Sequence, residues 1–243
     1  MKHLKTFTSA LILLAAMSCA KNQTEGNGQV SFEVQGSHEV ADVTKSNVSE
    51  YTALPSAGDF KITIKDAESS EVWSGRLSEW NAGTLLLAGN YTVEAAYGSI
   101  EDEGFDKPYF TGVNTFAIKG GETTSVSIPV TLGNTVIKLS FSEIFQKYYK
   151  DYSFKLTRSG AEIAAFAKGD SKAAFVDGYK IMVEGTLSSE TKNQIFSKEY
   201  TGLETATAYT LAFGVPNVAG SSIVISFNDA VEEIPLGDLE LNE

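Results

Sequence analysis

Cys19 is the only cysteine among 243 residues, and its thiol is the side chain most suited to covalent chemistry in this sequence. Lys2 and Lys5 precede an apolar run, Phe7 to Met17, that is too short to span a bilayer as a stable helix. Small residues then lead into Ala16-Met17-Ser18-Cys19, the order of a secretory signal. Loss of that signal removes His3 and leaves His38 as the one histidine, in a polar segment. Ser-His-Asp and Cys-His catalysis and multi-histidine zinc sites therefore lack their parts. A carboxylate pair could still work as acid and base. The acids are too many and too scattered to nominate one, and there is no Gly-rich phosphate loop or nucleophile elbow. The expectation is a non-enzymatic protein without a cofactor, with a carboxylate-based hydrolase as the enzyme alternative.

Three groups of residues could bind rather than react. Glu101, Asp102, Glu103 and Asp106 form the densest acidic cluster, of the kind Ca²⁺ favours, but without the spacing of an EF-hand loop. A solvated turn is the expectation there, and no metal. Tyr109 and Phe110 follow Pro108 on the same loop, where they would either stack on a sugar ring or partner, or fold under and plug the sandwich. Trp80, in Ser78-Glu79-Trp80-Asn81, is the third candidate contact, while Trp73 lies in a strand and reads as core.

The elements that must position these residues are strands. Gln29–Val34 and Phe60–Lys65 alternate strictly between apolar and polar. Further strands are expected at Glu71–Arg76, Thr84–Leu87, Asn90–Tyr97, Val113–Lys119 and Thr123–Thr131. After Gly133-Asn134 come Thr135–Phe141, Tyr152–Thr157, Tyr179–Leu187, Gln194–Tyr200, Ala208–Val215, Ser222–Asn228 and a segment near Ile234–Leu241. One helix is expected at Glu143–Lys150, capped by Ser142, with Ile144, Phe145, Tyr148 and Tyr149 on one face. Ala161–Lys172 is ambiguous. The fold class is all-β: two tandem β-sandwich domains, transthyretin-like or immunoglobulin-like, with at most one or two short helices.

This divides the chain into a signal peptide (1–18), a polar tether (19–28), a first sandwich (29–132) and a second (133–243). At 42% hydrophobic and 11% aromatic the chain has material for packed cores. The signal holds two lysines and no acids, so the rest carries 17 basic and 31 acidic side chains, a formal −14. Such a surface repels nucleic acid.

The halves read as degenerate copies. Phe60-Lys61-Ile62-Thr63 answers Phe154-Lys155-Leu156-Thr157, and Leu87–Val93 answers Leu203–Leu211, which would place Tyr91 and Tyr209 at corresponding positions. On that reading the second copy carries an insertion around Ala161–Ala174.

Ser18-Cys19 at the end of the signal resembles the lipobox of bacterial lipoproteins. That resemblance implies cleavage between Ser18 and Cys19 and acylation of Cys19, so that the membrane is a partner. Leu86-Leu87-Ala88-Gly89-Asn90-Tyr91-Thr92-Val93 resembles the strand-turn-strand element of transthyretin-like sandwiches. The wider pattern runs through Val72-Trp73, Gly104-Phe105-Asp106-Lys107-Pro108-Tyr109-Phe110-Thr111-Gly112 and Gly120-Gly121 to Leu132-Gly133-Asn134-Thr135-Val136. It is similar to a family of Bacteroidetes lipoproteins that carry a domain of unknown function and are distantly related to fimbrillin-like proteins. The resemblance implies an outer-membrane or cell-surface protein of a Gram-negative bacterium, with envelope or fimbrial proteins, or glycans, as partners. Adhesion or a fimbrillin-like role is the main reading and a glycan-binding surface lipoprotein the alternative. One departure is that no arginine lies between Cys19 and Arg76, where processing of the fimbrillin kind would cut. The alternating strand Gln29–Val34 is expected to be a displaceable edge, and Leu239–Glu243 a short donor strand or paired edge.

Overall fold

A computed structural model describes residues 26–36, 39–40, 46–216, 222–227 and 230–238. Ser18, Cys19, His38 and Leu239–Glu243 lie outside the described residues.

The N-terminal half of the chain forms β1 (Asn27–Gly36), a two-rung pair of β2 (Glu39–Val40) and β3 (Ser46–Asn47), β4 (Lys61–Lys65), β5 (Glu71–Arg76), β6 (Leu85–Leu87), β7 (Gly89–Tyr97), β8 (Gly104–Phe105), β9 (Phe110–Ile118) and β10 (Thr123–Leu132), all but β2, β3 and β8 in one sheet. The C-terminal sandwich contains β11 (Thr135–Phe141), the helix α1 (Glu143–Tyr148), β12 (Asp151–Arg158), β13 (Ala161–Phe166), β14 (Ala173–Val176), β15 (Lys180–Ser188), β16 (Asn193–Thr201), β17 (Ala208–Gly214), β18 (Ser222–Phe227), β19 (Ala230–Pro235) and β20 (Gly237–Asp238).

Alternation decides which face is buried. In β4, Ile62 and Ile64 are fully buried while Lys61 points out. The sheet ordered β5-β4-β7-β9-β10-β1-β6 folds back on itself where β9 meets β10 through two rungs, Thr131–Thr111 and Leu132–Phe110. Its two layers enclose one core of Val30, Ile62, Ile64, Val93, Phe110, Ile128 and their neighbours. At the corner a Cβ on Gly112 would lie 2.0 Å from the Pro129 carbonyl oxygen, so only glycine lets the strands approach this closely.

The strand pairing repeats between the halves. β1 runs parallel to β10 and antiparallel to β6; β11 runs parallel to β17 and antiparallel to β14. The facing layers are β5-β4-β7-β9 and β13-β12-β15-β16, and their first hairpins carry a register shift at matching places, after Ile64 and after Leu156. These shifts set Ile64 against Leu156 and Ile62 against Phe154, so Phe60 and Phe154, paired in the sequence, lie two residues out of step. The second landmark differs further. Tyr91 lies on β7, whose counterpart is β15, whereas Tyr209 lies on β17, the counterpart of β10. Ala161–Ala174 is no insertion either: it supplies β13 and the start of β14, the counterparts of β5 and β6. The spacing agrees, with 28 residues from Lys61 to Gly89 and 29 from Asp151 to Lys180.

Two other expectations change. Ser142 does cap α1, its Oγ accepting from the Phe145 amide at 3.1 Å, and Phe145 and Tyr149 are fully buried, but Ile144 is 62% exposed because it faces away from the sandwich. The strand at Gln29–Val34 is not a loose edge. Eight residues of β1 pair with β10, and β6 covers its other side at Asn27–Gln29.

Candidate functional site

The acidic residues singled out above and Tyr109 lie on one connection, residues 98–109, which leaves the N-terminal sandwich and docks on the C-terminal one; Phe110 opens β9 just after it. β8 within it pairs with β14 and so extends the second sandwich's sheet, and Phe105 meets Phe166 edge-to-face at 4.9 Å between centroids. The halves are therefore not fully separate. Val136, Ala173, Phe175 and Ala208 belong to the N-terminal core, so the sheet containing β11 is buried on both faces at that end.

Glu103 fastens this connection. One carboxylate oxygen accepts from Arg158 Nη1 at 2.8 Å and the other from the Asp177 amide at 2.6 Å. Arg158 also donates through Nε to the Lys180 carbonyl at 3.0 Å and through Nη2 to the Asp177 carbonyl. The fork of a guanidinium is needed to reach three acceptors at once. Glu101 and Asp102 are exposed, and Asp106 accepts from Thr52 Oγ1 at 3.2 Å. Among the described residues no three His, Cys, Asp or Glu side chains converge as metal ligands do.

Phe110 is a core residue, and Tyr109 beside it is half-buried. Phe110 is 1% exposed, tilted against Phe60 at 6.2 Å, so a ligand could not reach its ring without opening the corner between β9 and β10. The Tyr109 amide donates to Asn134 Oδ1 and its carbonyl accepts from the Gly133 amide at 2.7 Å. Asn134 and Thr135 are fully buried, tied to the β16–β17 loop by Ala206 N to Asn134 O at 2.8 Å and Thr135 Oγ1 to Glu204 O at 2.7 Å. Trp80 is half-buried: its indole N–H donates to the Val30 carbonyl at 3.0 Å and its ring meets Phe32 and Trp73 edge-on at 5.4 and 5.1 Å. It holds β1 where β6 no longer covers it.

Arg158 and the β8–β14 pairing escape a reading of the sequence. The available signal is that Arg158 is one of two arginines in a chain of 19 basic residues, which marks a position where lysine would not serve. A trough of about 490 Å³ lies on the outer face of the sheet made by β12, β13, β15 and β16, lined by Ser153, Lys155, Glu162, Glu184, Thr186 and Ile195 among others.

Four tyrosine hydroxyls are held above their ordinary value by burial. Tyr149, whose hydroxyl donates to Gln194 Oε1 at 3.1 Å, is pushed up to about 12 by burial and then by Tyr148. Tyr91, Tyr152 and Tyr200 move the same way, burial first in each; for Tyr91 and Tyr200 the charges of Asp66 and Glu232 add to it. The folded chain thus keeps protons that the unfolded chain releases near pH 10. Stability is expected to be unchanged by these groups below pH 10 and to fall above it, by up to about 1.4 kcal/mol per pH unit for each tyrosine. Urea midpoints between pH 8 and pH 11.5 measure this; a midpoint that stays level across pH 10 contradicts it.

Residues 26–238, nearly the whole chain, match the family described as a domain of unknown function, DUF4493. The chain belongs to the DUF4493 family. No curated protein matches this DUF4493 chain. Among solved structures it is similar to a candidate cell adhesion protein from Bacteroides eggerthii, at 10% identity and a TM-score of 0.47, covering 88% of this chain and 97% of that one. A fimbrial assembly protein from Parabacteroides distasonis gives 8% identity and a TM-score of 0.45, with 87% and 98% covered. A candidate polysaccharide-binding protein from Bacteroides thetaiotaomicron gives 11% and 0.43, with 90% and 100% covered. Among the described residues no helix is long and apolar enough to cross a membrane.

Proposed function

We propose that this DUF4493 chain is a lipid-anchored cell-envelope protein that bears load between the membrane and an adhesive or fimbrial partner. In this reading it is cut before Cys19, held by acyl groups there, and displays two sandwich units, 29–132 and 133–243. The observation that carries the reading is the parallel ladder from Gln29–Thr123 to Gly36–Val130. The tether enters at the start of β1, and the chain leaves for the second unit at the end of β10. Tension between membrane and partner pulls these neighbours in opposite directions along their length, so the rungs resist together in shear instead of opening singly. From the end of β10 the load passes through the main chain to β11, while the Glu103–Arg158 fastening and the β8–β14 pairing hold the two units together beside that path.

Replacement of Cys19 tests the anchoring half. Cys19→Ser is expected to lower the membrane-bound fraction of the cell's protein by about tenfold or more, because stable attachment needs the acyl chains. Retention of the variant in the membrane fraction, or its labelling by palmitate, overturns that half. The trough favours a second reading, a glycan-binding surface lipoprotein: its volume suits one or two sugar rings, with Glu162, Glu184, Ser153 and Thr186 positioned for hydroxyls. A glycan array on the mature chain, compared with Glu184→Gln, separates the two.

A further inference from the structure

The edge strand β6 leaves two leucines in solvent. Leu86 is 5% exposed and belongs to the core, whereas Leu85 and Leu87 on the opposite face are 59% and 71% exposed. No strand covers the far side of β6 among the described residues. The place of this strand is what gives the leucines meaning. Asn27 pairs with Leu87 and Gln29 with Leu85, and the Ala88 amide donates to the Gly26 carbonyl at 2.8 Å. The patch thus sits at the root of the N-terminal tether, one rung from the point where the described chain begins. Six residues, 20–25, lie between that point and Cys19. The covalent chain from Cys19 to Gly26 can reach at most about 25 Å.

The surroundings suit a lipid surface despite the acidic balance of the chain. Outward-facing neighbours of the leucines are Asn27, Gln29 and Ser31 on β1 and Thr123 and Ser125 on β10, all uncharged. The charges at that end, Lys119 and Glu122, pair with each other at 3.8 Å. An exposed apolar edge inside a neutral patch, held within a short tether's reach of a bilayer, needs little intrinsic affinity to dock, because the tether supplies a high local concentration.

We propose that Leu85 and Leu87 rest on the membrane surface and set the orientation of the anchored protein, with β6 facing the lipid. This rests on the anchoring reading above, so the test has two arms. In one, the full chain, produced with its signal and checked for acylation by mass, is placed in phosphatidylcholine vesicles. In the other, the mature chain is coupled through its Cys19 thiol to a maleimide lipid in the same vesicles, which restores the tether whether or not acylation occurs in the cell. The readout is the ratio of amide exchange at Leu85–Ala88 without and with vesicles. A patch docked for about two thirds of the time slows exchange about threefold. Leu85→Ser/Leu87→Ser, at exposed positions, is expected to return the ratio to one while leaving the unfolding midpoint in place. An acylated chain with a ratio of one in both arms overturns the docking and leaves the anchor standing. A threefold ratio only in the coupled arm, with no acylation in the other, upholds the docking and refutes the anchor. Slowing that follows protein concentration without vesicles assigns the patch to a second copy of the chain and also overturns the proposal.

Discussion

Phe110→Ala is expected to lower stability by about 3–5 kcal/mol. The ring is 1% exposed, and its residue supplies one of the two rungs on which the N-terminal sheet turns over. Truncation leaves a cavity at this corner, and the corner cannot collapse to fill it. Gly112 already stands against the Pro129 carbonyl there, and the Tyr109 backbone is bonded to Gly133 and Asn134. The loss is measured by urea titration of the mature chain. A change below about 1 kcal/mol would mean that the ring is not part of the core and would return it to the list of ligand contacts.

Arg158→Ala is expected to cost about 2–3 kcal/mol, after allowance for the water that still reaches the pair. Glu103, with its side chain 15% exposed, is left without its cation, and the Asp177 and Lys180 carbonyls lose their donor. The direction follows from an asymmetry: removing one partner strands a buried charge, which is worse than never having built the pair. Arg158→Lys keeps the charge but cannot fork, so it is expected to recover less than half of the loss. The unfolding profile is the sharper readout. With the fastening gone, the two sandwiches are expected to melt in separate steps followed by tryptophan fluorescence, since Trp73 and Trp80 both lie in the N-terminal one. A single step with an unchanged midpoint would refute the fastening.

How much of this was legible in the sequence depended on the range of the interaction involved. The β4 strand, the Ser142 cap and the buried Phe145 and Tyr149 follow from alternation, capping chemistry and helical spacing, all of which act within a few residues. The duplication was legible as a pair of alternating strands, β4 and β12, but two residues out of register: the fold sets Ile62, not Phe60, against Phe154. It was misaligned at Tyr91 and Tyr209 because both begin Tyr-Thr-aliphatic strands after a polar turn, and local pattern cannot say which strand lies beside which. The parallel β1–β10 ladder joins residues 94 apart in sequence, so Gln29–Val34 looked like an edge when its partner was simply distant. Trp80 looked exposed for the same reason: the carbonyl that engages its N–H is 50 residues away. The acidic loop misled because Glu103 is charged like its neighbours, and only the fold brings Arg158 to it.

Pulling one chain in two directions tests most directly whether the β1–β10 ladder carries load. The mature chain offers Cys19 as one handle. Lys147→Cys places the second on α1, where the side chain is 78% exposed, so tension crosses β1 and β10 in shear. Glu122→Cys places it instead beside the start of β1, where the side chain is 62% exposed, so the same ladder is peeled from one end. In single-molecule force measurements the first pair of handles is expected to require severalfold more force to release β1 than the second. Equal rupture forces in the two geometries would contradict the account.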